Sequence, residues 1–296
     1  MHDDQLTITS AQVRALVTEQ FPQFGHQHVV ALQTAGTVNA IFRIGERHAA
    51  RFPLQMIDTA NCLQLLKREA EASREFHEYC PFPSPEPIGI GRQGAGFPMP
   101  WLVQTWIDGD VANPGGLSTS HDFARDLAHL ISTLRKVDLK GRTFSGPGRG
   151  GKLTDHDAWM EVCFKKSEGL LDVVRLRRMW KRLRVLPSSQ AEAMCHKDLI
   201  PTNLLVKGER LIGVLDTGGF GPADPALDLV PGWHLLNRDT RTTFGETLGV
   251  DDLEWQRGAA WAFQQAMGLV WYYKDTNPVM AELGRSTLSR LVEDDL

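Results

Sequence analysis

Apolar residues at Val13, Leu16 and Val17 recur at helical spacing, so residues 10–20 read as a short helix with Ser10 available as its cap. Three short apolar runs at 29–32, 40–44 and 49–52 then read as strands, with Gly36 and Gly45 marking the turns. Residues 59–78 return to helical spacing, with Leu63, Leu66, Ala70 and Phe76 on one side. The stretch 81–87 holds Pro81, Pro83, Pro85 and Pro87, which no helix accommodates, so it is an extended connector. Strands at 88–90 and 101–106 follow. Beyond Gly109 the pattern becomes mainly helical. Residues 113–116 read as a loop. Phe123, Leu127, Leu130, Ile131 and Leu134 mark an amphipathic helix, and a Gly-rich loop spans 144–151. Further helices are expected at 154–170, 172–186, 225–237, 252–273 and 278–293, with a strand pair at 204–206 and 211–215 turning at Gly208.

The predicted organisation is α+β. A strand-rich portion with one long helix (1–106) precedes a helical remainder (107–296), and the change falls at about 104–108. A small-molecule ligand is expected at such a junction. The 296 residues, 42% hydrophobic and 23% charged, suffice for a sizeable core and exclude a disordered or fibrous chain. A net charge of −4 argues against a nucleic-acid binder that works by bulk charge. Cys62, Cys80, Cys163 and Cys195 form no C-x-x-C pair and no zinc pattern, which suits reduced thiols and a cytoplasmic setting. The acidic N-terminus has no apolar signal region, and no stretch approaches the ~20 apolar residues of a membrane span.

The strongest chemical signal is Cys195-His196-Lys197-Asp198-Leu199-Ile200-Pro201-Thr202-Asn203, running into a strand. A second strand ends in Val214-Leu215-Asp216. This is an H-x-D-x-x-x-x-N loop followed by a further aspartate. Phosphoryl transfer needs one carboxylate to orient an attacking hydroxyl and accept its proton, a role that fits Asp198. It also needs oxygen ligands for Mg²⁺, a role that fits Asn203 and Asp216. His196 is expected to hold the loop backbone rather than to do chemistry.

With these motifs the chain resembles the aminoglycoside phosphotransferase family, whose fold is shared with choline kinases and protein kinases. The resemblance covers nearly the whole chain. It implies a two-lobed protein-kinase-like fold, a nucleoside triphosphate (ATP or GTP) as phosphate donor, Mg²⁺, and a small hydroxylated acceptor. Ala49-Ala50-Arg51-Phe52-Pro53 resembles the family's third strand, which makes Arg51 the contact to the α/β-phosphates. Lys67-Arg68-Glu69-Ala70 resembles the start of the helix whose glutamate, here Glu69, pairs with that base. The segment 97–109 resembles the last strand and hinge, so that backbone groups of Gln104, Thr105 and Trp106 would meet the purine; for Trp101 and Trp106 core packing is an equal alternative. Residues 34–39 sit where the family places its phosphate-covering turn, which makes Asn39 or Thr37 a phosphate contact, or the segment a plain hairpin. Residues 216–229 resemble the family's post-metal segment, in which Asp224 and Asp228 are expected as caps and loop anchors rather than catalysts. Arg149-Gly150-Gly151 and the segment 251–258 extend the match.

Two positions depart from the pattern. Ile200 stands where protein kinases carry a lysine, which disfavours a protein kinase. Lys197 stands where family members carry a small residue, and its ammonium either lies near phosphate or points to solvent. Between His196 and Glu254 there are ten acidic residues against five basic ones, and Asp294 and Asp295 stand just before Leu296. That excess permits a cationic acceptor. Three functions remain open: O-phosphorylation of an aminoglycoside or related antibiotic, giving resistance; a metabolic kinase acting on an amino alcohol or sugar; and a non-catalytic nucleotide-binding protein. No nucleic-acid or membrane partner is expected.

Overall fold

The computed structural model describes residues 5–32, 39–146, 148–189 and 191–294. The chain divides into two compact units. One comprises Met1–Glu78, Pro83–Asp108 and Asp216–Gly219, the other Tyr79–Phe82, Gly109–Leu215 and Phe220–Leu296.

The first unit contains α1 (Ser10–Gln20), β1 (Val29–Leu32), β2 (Asn39–Ile44), β3 (His48–Pro53), α2 (Thr59–Tyr79), β4 (Pro87–Gly91) and β5 (Trp101–Thr105). The strands form an antiparallel sheet in the order β1-β2-β3-β5-β4. The cap of α1 is Thr9 rather than Ser10. Gln12 N–H donates to Thr9 Oγ1 at 3.3 Å, and Gln12 Oε1 accepts from Thr9 N–H at 3.0 Å, a reciprocal capping box. Alternation along β2 and β3 sends Phe42, Ile44, Ala50 and Phe52 into the core. There Phe52 stacks on the fully buried Trp101 at 4.8 Å and meets Phe97 edge-on at 5.2 Å. Trp101 is therefore a core residue, and removing such a side chain costs about 3–5 kcal/mol. The β2–β3 turn closes at Gly45 (φ +57°), where an added Cβ would lie 2.2 Å from the Gln27 side chain. Gly36 and Thr37 lie outside the described residues.

The second unit contains β6 (Asp110–Val111), α3 (Pro114–Leu117), α4 (His121–Leu134), α5 (Asp157–Lys166), α6 (Val173–Leu183), β7 (Ala193–Cys195), β8 (Leu204–Lys207), β9 (Arg210–Val214) and β10 (Gly221–Ala223). These are followed by α7 (Pro231–Leu235), α8 (Arg238–Leu248), α9 (Asp252–Tyr272) and α10 (Pro278–Glu293). The expected loop at 113–116 is a single helical turn, because Asn113 Oδ1 accepts from Gly115 N–H at 2.9 Å and Pro114 suits the first position. The expected helix 225–237 is two short pieces, a 3₁₀ turn at Pro225–Leu229 and α7, divided at Pro231. Helix α8 has no counterpart in the sequence reading. Its segment is threonine-rich and polar, and only Thr240, Arg241 and Phe244 are buried, so periodicity is faint. Asn237 caps its start and Gly249, at φ +68°, ends it. Helix α9 is buried nearly all round over residues 257–268, as a central helix must be. Gly258 permits its approach to the 225–229 turn, since a Cβ there would lie 2.7 Å from that of Leu229.

These elements, an antiparallel sheet unit and a mainly helical unit, make the chain α+β. Among the described residues no helix is long and apolar enough to cross a membrane. The four cysteines are free thiols; burial pushes Cys80 up to about 12, Cys163 up to about 11, and Cys195 well above its ordinary value.

Candidate active site

In the second unit the segment 196–203 is a loop held from both ends. Its ceiling is Asp228, fully buried, whose carboxylate accepts from the backbone N–H of His196 at 2.7 Å and of Lys197 at 2.8 Å. Burial pushes the Asp228 carboxyl up, and His196 and these two N–H groups oppose the shift. His196 completes the frame. Its Nε2 donates to the Leu215 carbonyl at 2.9 Å, and its Nδ1 accepts from Asp198 N–H at 3.2 Å. The histidine thus ties the loop to the strand end before Asp216, the holding role expected for it. Lys197, between His196 and Asp198, has φ +72°, a conformation costly for a residue with a Cβ. Among the small residues only glycine would take it without strain. The lysine is half-buried and, among the described residues, makes no ion pair.

Asp198 is where the loop turns outward. Its Oδ2 accepts from Asn203 Nδ2 at 3.2 Å, and the same nitrogen donates to the Asp198 carbonyl at 2.9 Å. These two bonds orient the Asn203 amide so that its oxygen is turned away from Asp198 as a donor atom for a cation. The Asn203 carbonyl accepts from Leu215 N–H at 2.8 Å, which brings the ends of β8 and β9 together.

The other oxygen of Asp198 has a partner that the sequence did not single out for this role. Arg149 Nη2 donates to Asp198 Oδ1 at 2.7 Å. The glycines after Arg149 explain how it arrives there. A Cβ on Gly150 would lie 2.7 Å from that of Ala223, and one on Gly151 would lie 2.7 Å from the Phe144 ring. Gly150, at φ +116°, also accepts Asp224 N–H on its carbonyl at 2.8 Å. The legible signal is Arg149-Gly150-Gly151: an arginine followed by two positions that tolerate no side chain.

In the first unit Arg51 lies on β3, opposite Ile41 and Leu102. Its Nη2 forms an ion pair with Asp216 Oδ1 at 3.0 Å. The expected Arg51–Glu69 pair is not formed among the described residues. Glu69 instead stands close enough to feel both groups. Burial pushes its carboxyl up, Arg51 opposes this and Asp216 adds to it. Gly218 lets the segment after Asp216 close on α2, since a Cβ there would lie 3.0 Å from that of Glu69. Asp216 has φ +54°, a second strained backbone position. Among the described residues no three His, Cys, Asp or Glu side chains converge as a metal site. Oxygen donors such as the Asn203 amide and the Asp216 carboxylate suit Mg²⁺, which takes few protein ligands and shares the rest of its shell with phosphate and water.

Of the expected purine contacts, Gln104 and Thr105 end β5 and Trp106 follows it. Thr105 N–H donates to the Glu86 carbonyl at 2.9 Å and Trp106 N–H to that of Arg47 at 2.8 Å, so neither is available as a donor. The Trp106 ring is not core. Its Nε1 donates to Asp108 at 2.7 Å, and the Arg43 guanidinium lies 5.1 Å above it. Asn39 begins β2 opposite Pro53.

The family described as "Phosphotransferase enzyme family" matches residues 30–263. No curated protein sequence matches. Among solved structures, a GDP complex of wild-type aminoglycoside 2'-phosphotransferase-IIIa is similar at 15% identity, TM-score 0.69, over 97% of this chain and 100% of that one. The apoenzyme of a macrolide 2'-phosphotransferase from Brachybacterium faecium is similar at 14% identity, TM-score 0.60, over 94% and 97%. A macrolide 2'-phosphotransferase type I is similar at 16% identity, TM-score 0.64, over 95% and 98%. At these identities the likeness is one of fold.

Proposed function

The chain belongs to the phosphotransferase enzyme family and is a phosphotransferase, and on that premise we propose that it moves the γ-phosphate of ATP or GTP onto a hydroxyl of a small molecule. The observation that carries this reading is the loop around Asp198: a carboxylate turned outward, fixed by Asn203 and by a backbone anchored on Asp228 and His196. Asp198 orients the acceptor hydroxyl and takes its proton. Arg51 steadies the α/β-phosphates, with Glu69 beside it, and Asn39 belongs to the turn over the phosphates. The purine lies at 104–106, where it meets groups of Gln104, Thr105 and Trp106 other than the two spent N–H donors. Asn203 and Asp216 would hold Mg²⁺, which supplies neutralisation of phosphate charge when bound. In this reading residues 1–106, with a hinge at 104–108, serve the nucleotide, and 107–296 serve catalysis and the acceptor.

Aminoglycoside and macrolide phosphotransferases of like fold make a hydroxylated antibiotic the first acceptor class to test, with resistance as the consequence. A second reading is a metabolic kinase acting on an amino alcohol or sugar, and one observation favours its sugar half: Asp198 is flanked by the Arg149 guanidinium, which any cationic acceptor would have to approach. A non-catalytic nucleotide-binding role is disfavoured because Arg51, Glu69, Asp198, Asn203 and Asp216 are all present. The test is Mg²⁺-dependent turnover of ATP and of GTP across aminoglycosides, macrolides, choline, sugars and polyols. Turnover with one class names the acceptor, and none with any hydroxyl compound sinks the phosphotransfer reading. Asp216→Ala should abolish Mg²⁺-dependent nucleotide binding; unchanged binding removes Asp216 as a metal ligand.

A further inference from the structure

The phosphotransfer reading is the basis for a narrower statement about the acceptor. A hydroxyl that gives its proton to Asp198 must come within about 2.6–3.2 Å of a carboxylate oxygen. One of those oxygens is already 2.7 Å from Nη2 of Arg149. A guanidinium holds five N–H donors in a rigid fork. Among the described residues Asp198 is the only hydrogen-bond partner of Arg149, and the side chains of both are 34% exposed. Any acceptor seated on Asp198 therefore presents its neighbouring substituents to the unspent donors of Arg149.

Three acidic residues of this unit that are buried or nearly so point the same way. A pocket for a polycation needs carboxylates with unspent oxygens. Asp228 is spent on two backbone N–H groups, Glu254 on Arg135, and Asp294 on Arg241 at 2.8 Å and Trp233 Nε1 at 3.0 Å. The cation on Asp198 is in the opposite state, because Arg149 has donors left over.

We propose that Arg149 selects the acceptor by charge: the preferred acceptor carries a carboxylate on the carbon next to the one that bears the reacting hydroxyl. The guanidinium takes the carboxylate in its fork while Asp198 takes the hydroxyl. The hydroxyl oxygen forms a bond to the γ-phosphorus and the bond from that phosphorus to the β,γ-bridging oxygen breaks. The nucleoside diphosphate leaves with the electron pair, and the hydroxyl proton passes to Asp198. Arg149 is thus a specificity-determining residue, and an ammonium in place of the carboxylate is repelled.

The experiment uses three polyols that differ in one terminal group: gluconate (carboxylate), glucitol (neutral) and glucamine (ammonium). Binding to the nucleotide-loaded protein is measured by calorimetry, and turnover by nucleoside diphosphate release. The wild type should bind gluconate more tightly than glucamine by roughly tenfold or more, with glucitol between them. Arg149→Glu should reverse the order, and Arg149→Lys should keep the order with less discrimination. Thermal unfolding checks that each variant is folded, and Arg149→Gln, which should level the ranking, serves if the glutamate variant is not. A flat wild-type ranking, no binding of any member, or an order unchanged in both Arg149→Glu and Arg149→Gln overturns the proposal. The two readings fail separately. Asp198-dependent turnover of other hydroxyl compounds with a flat ranking sinks only the charge selection. A charge ranking in binding with no Asp198-dependent turnover of any hydroxyl compound sinks the phosphotransfer.

Discussion

Two arginine–aspartate pairs in the second unit use the same chemistry to opposite ends. Asp224 and Arg257 are 4% and 3% exposed at their side chains. Arg257 Nε donates to Asp224 Oδ2 at 3.0 Å, Trp261 Nε1 donates to the same oxygen at 2.8 Å, and Arg257 Nη1 reaches the Pro187 carbonyl at 2.7 Å. Asp224 also caps the 225–229 turn through Ala226 N–H at 3.1 Å. Nothing is left over for a ligand. Asp198 and Arg149 are each a third exposed and hold unspent donors and lone pairs. A charge pair buried with every atom satisfied is structure, and a pair left part-satisfied at the surface is available for function.

The comparison breaks most visibly at Asp198. Asp198→Ala should lower kcat by about 10³–10⁴-fold, the upper part of the general-base range, while nucleotide affinity and Tm stay near wild type. Equal losses in kcat and nucleotide affinity would remove the base role. Arg257→Met should do the reverse in kind. It strands a buried carboxylate and should destabilise by about 3–5 kcal/mol in urea unfolding; a change below about 1 kcal/mol would mean that Asp224 finds another partner.

A third buried group makes the same point through pH. His234 is fully buried between Thr287 Oγ1 at 2.8 Å and Gln265 Oε1 at 2.9 Å, and burial pushes its pKa down to about 4. Between about 4 and the unfolded value of 6.5 the unfolded chain binds the extra proton. Stability therefore rises with pH through that window and is lost as pH falls through it. His234→Gln should flatten this part of the Tm–pH curve, and an unchanged slope would mean that His234 is not its source. The smallest effect belongs to the exposed pair. Arg149→Gln should change stability by no more than about 1 kcal/mol, because solvent screens a pair of this exposure. A larger loss would make Arg149 a structural residue.

The sequence was legible where chemistry and periodicity are local. Strands β2 and β3 follow from short apolar runs with glycines at the turns, α4 from its apolar spacing, and the Asp198–Asn203 loop from its fixed offsets. Helix α8 was not legible, because its stripe is only Thr240, Arg241 and Phe244. The break at Pro231 is not legible either, since proline at a first helical turn and proline between two turns look alike in sequence. The resemblance pairs Arg51 with Glu69, whereas the fold pairs it with Asp216, a residue 165 positions away in the chain.

The chain by itself determined its α+β class, its family and the residue types available for phosphoryl transfer, because hydrophobic period and motif spacing are written in neighbouring residues. Only the tertiary structure decided which of those charges are spent. Glu254 and Asp294 belong to the acidic excess that permits a cationic acceptor and are consumed by arginines, while Asp228, expected as an anchor, is consumed by backbone N–H groups. Arg149 looks like a loop arginine and stands on Asp198. Whether a carboxylate is spent depends on which donor the fold brings within about 3 Å of it, and that distance is set by contacts between segments far apart in the chain.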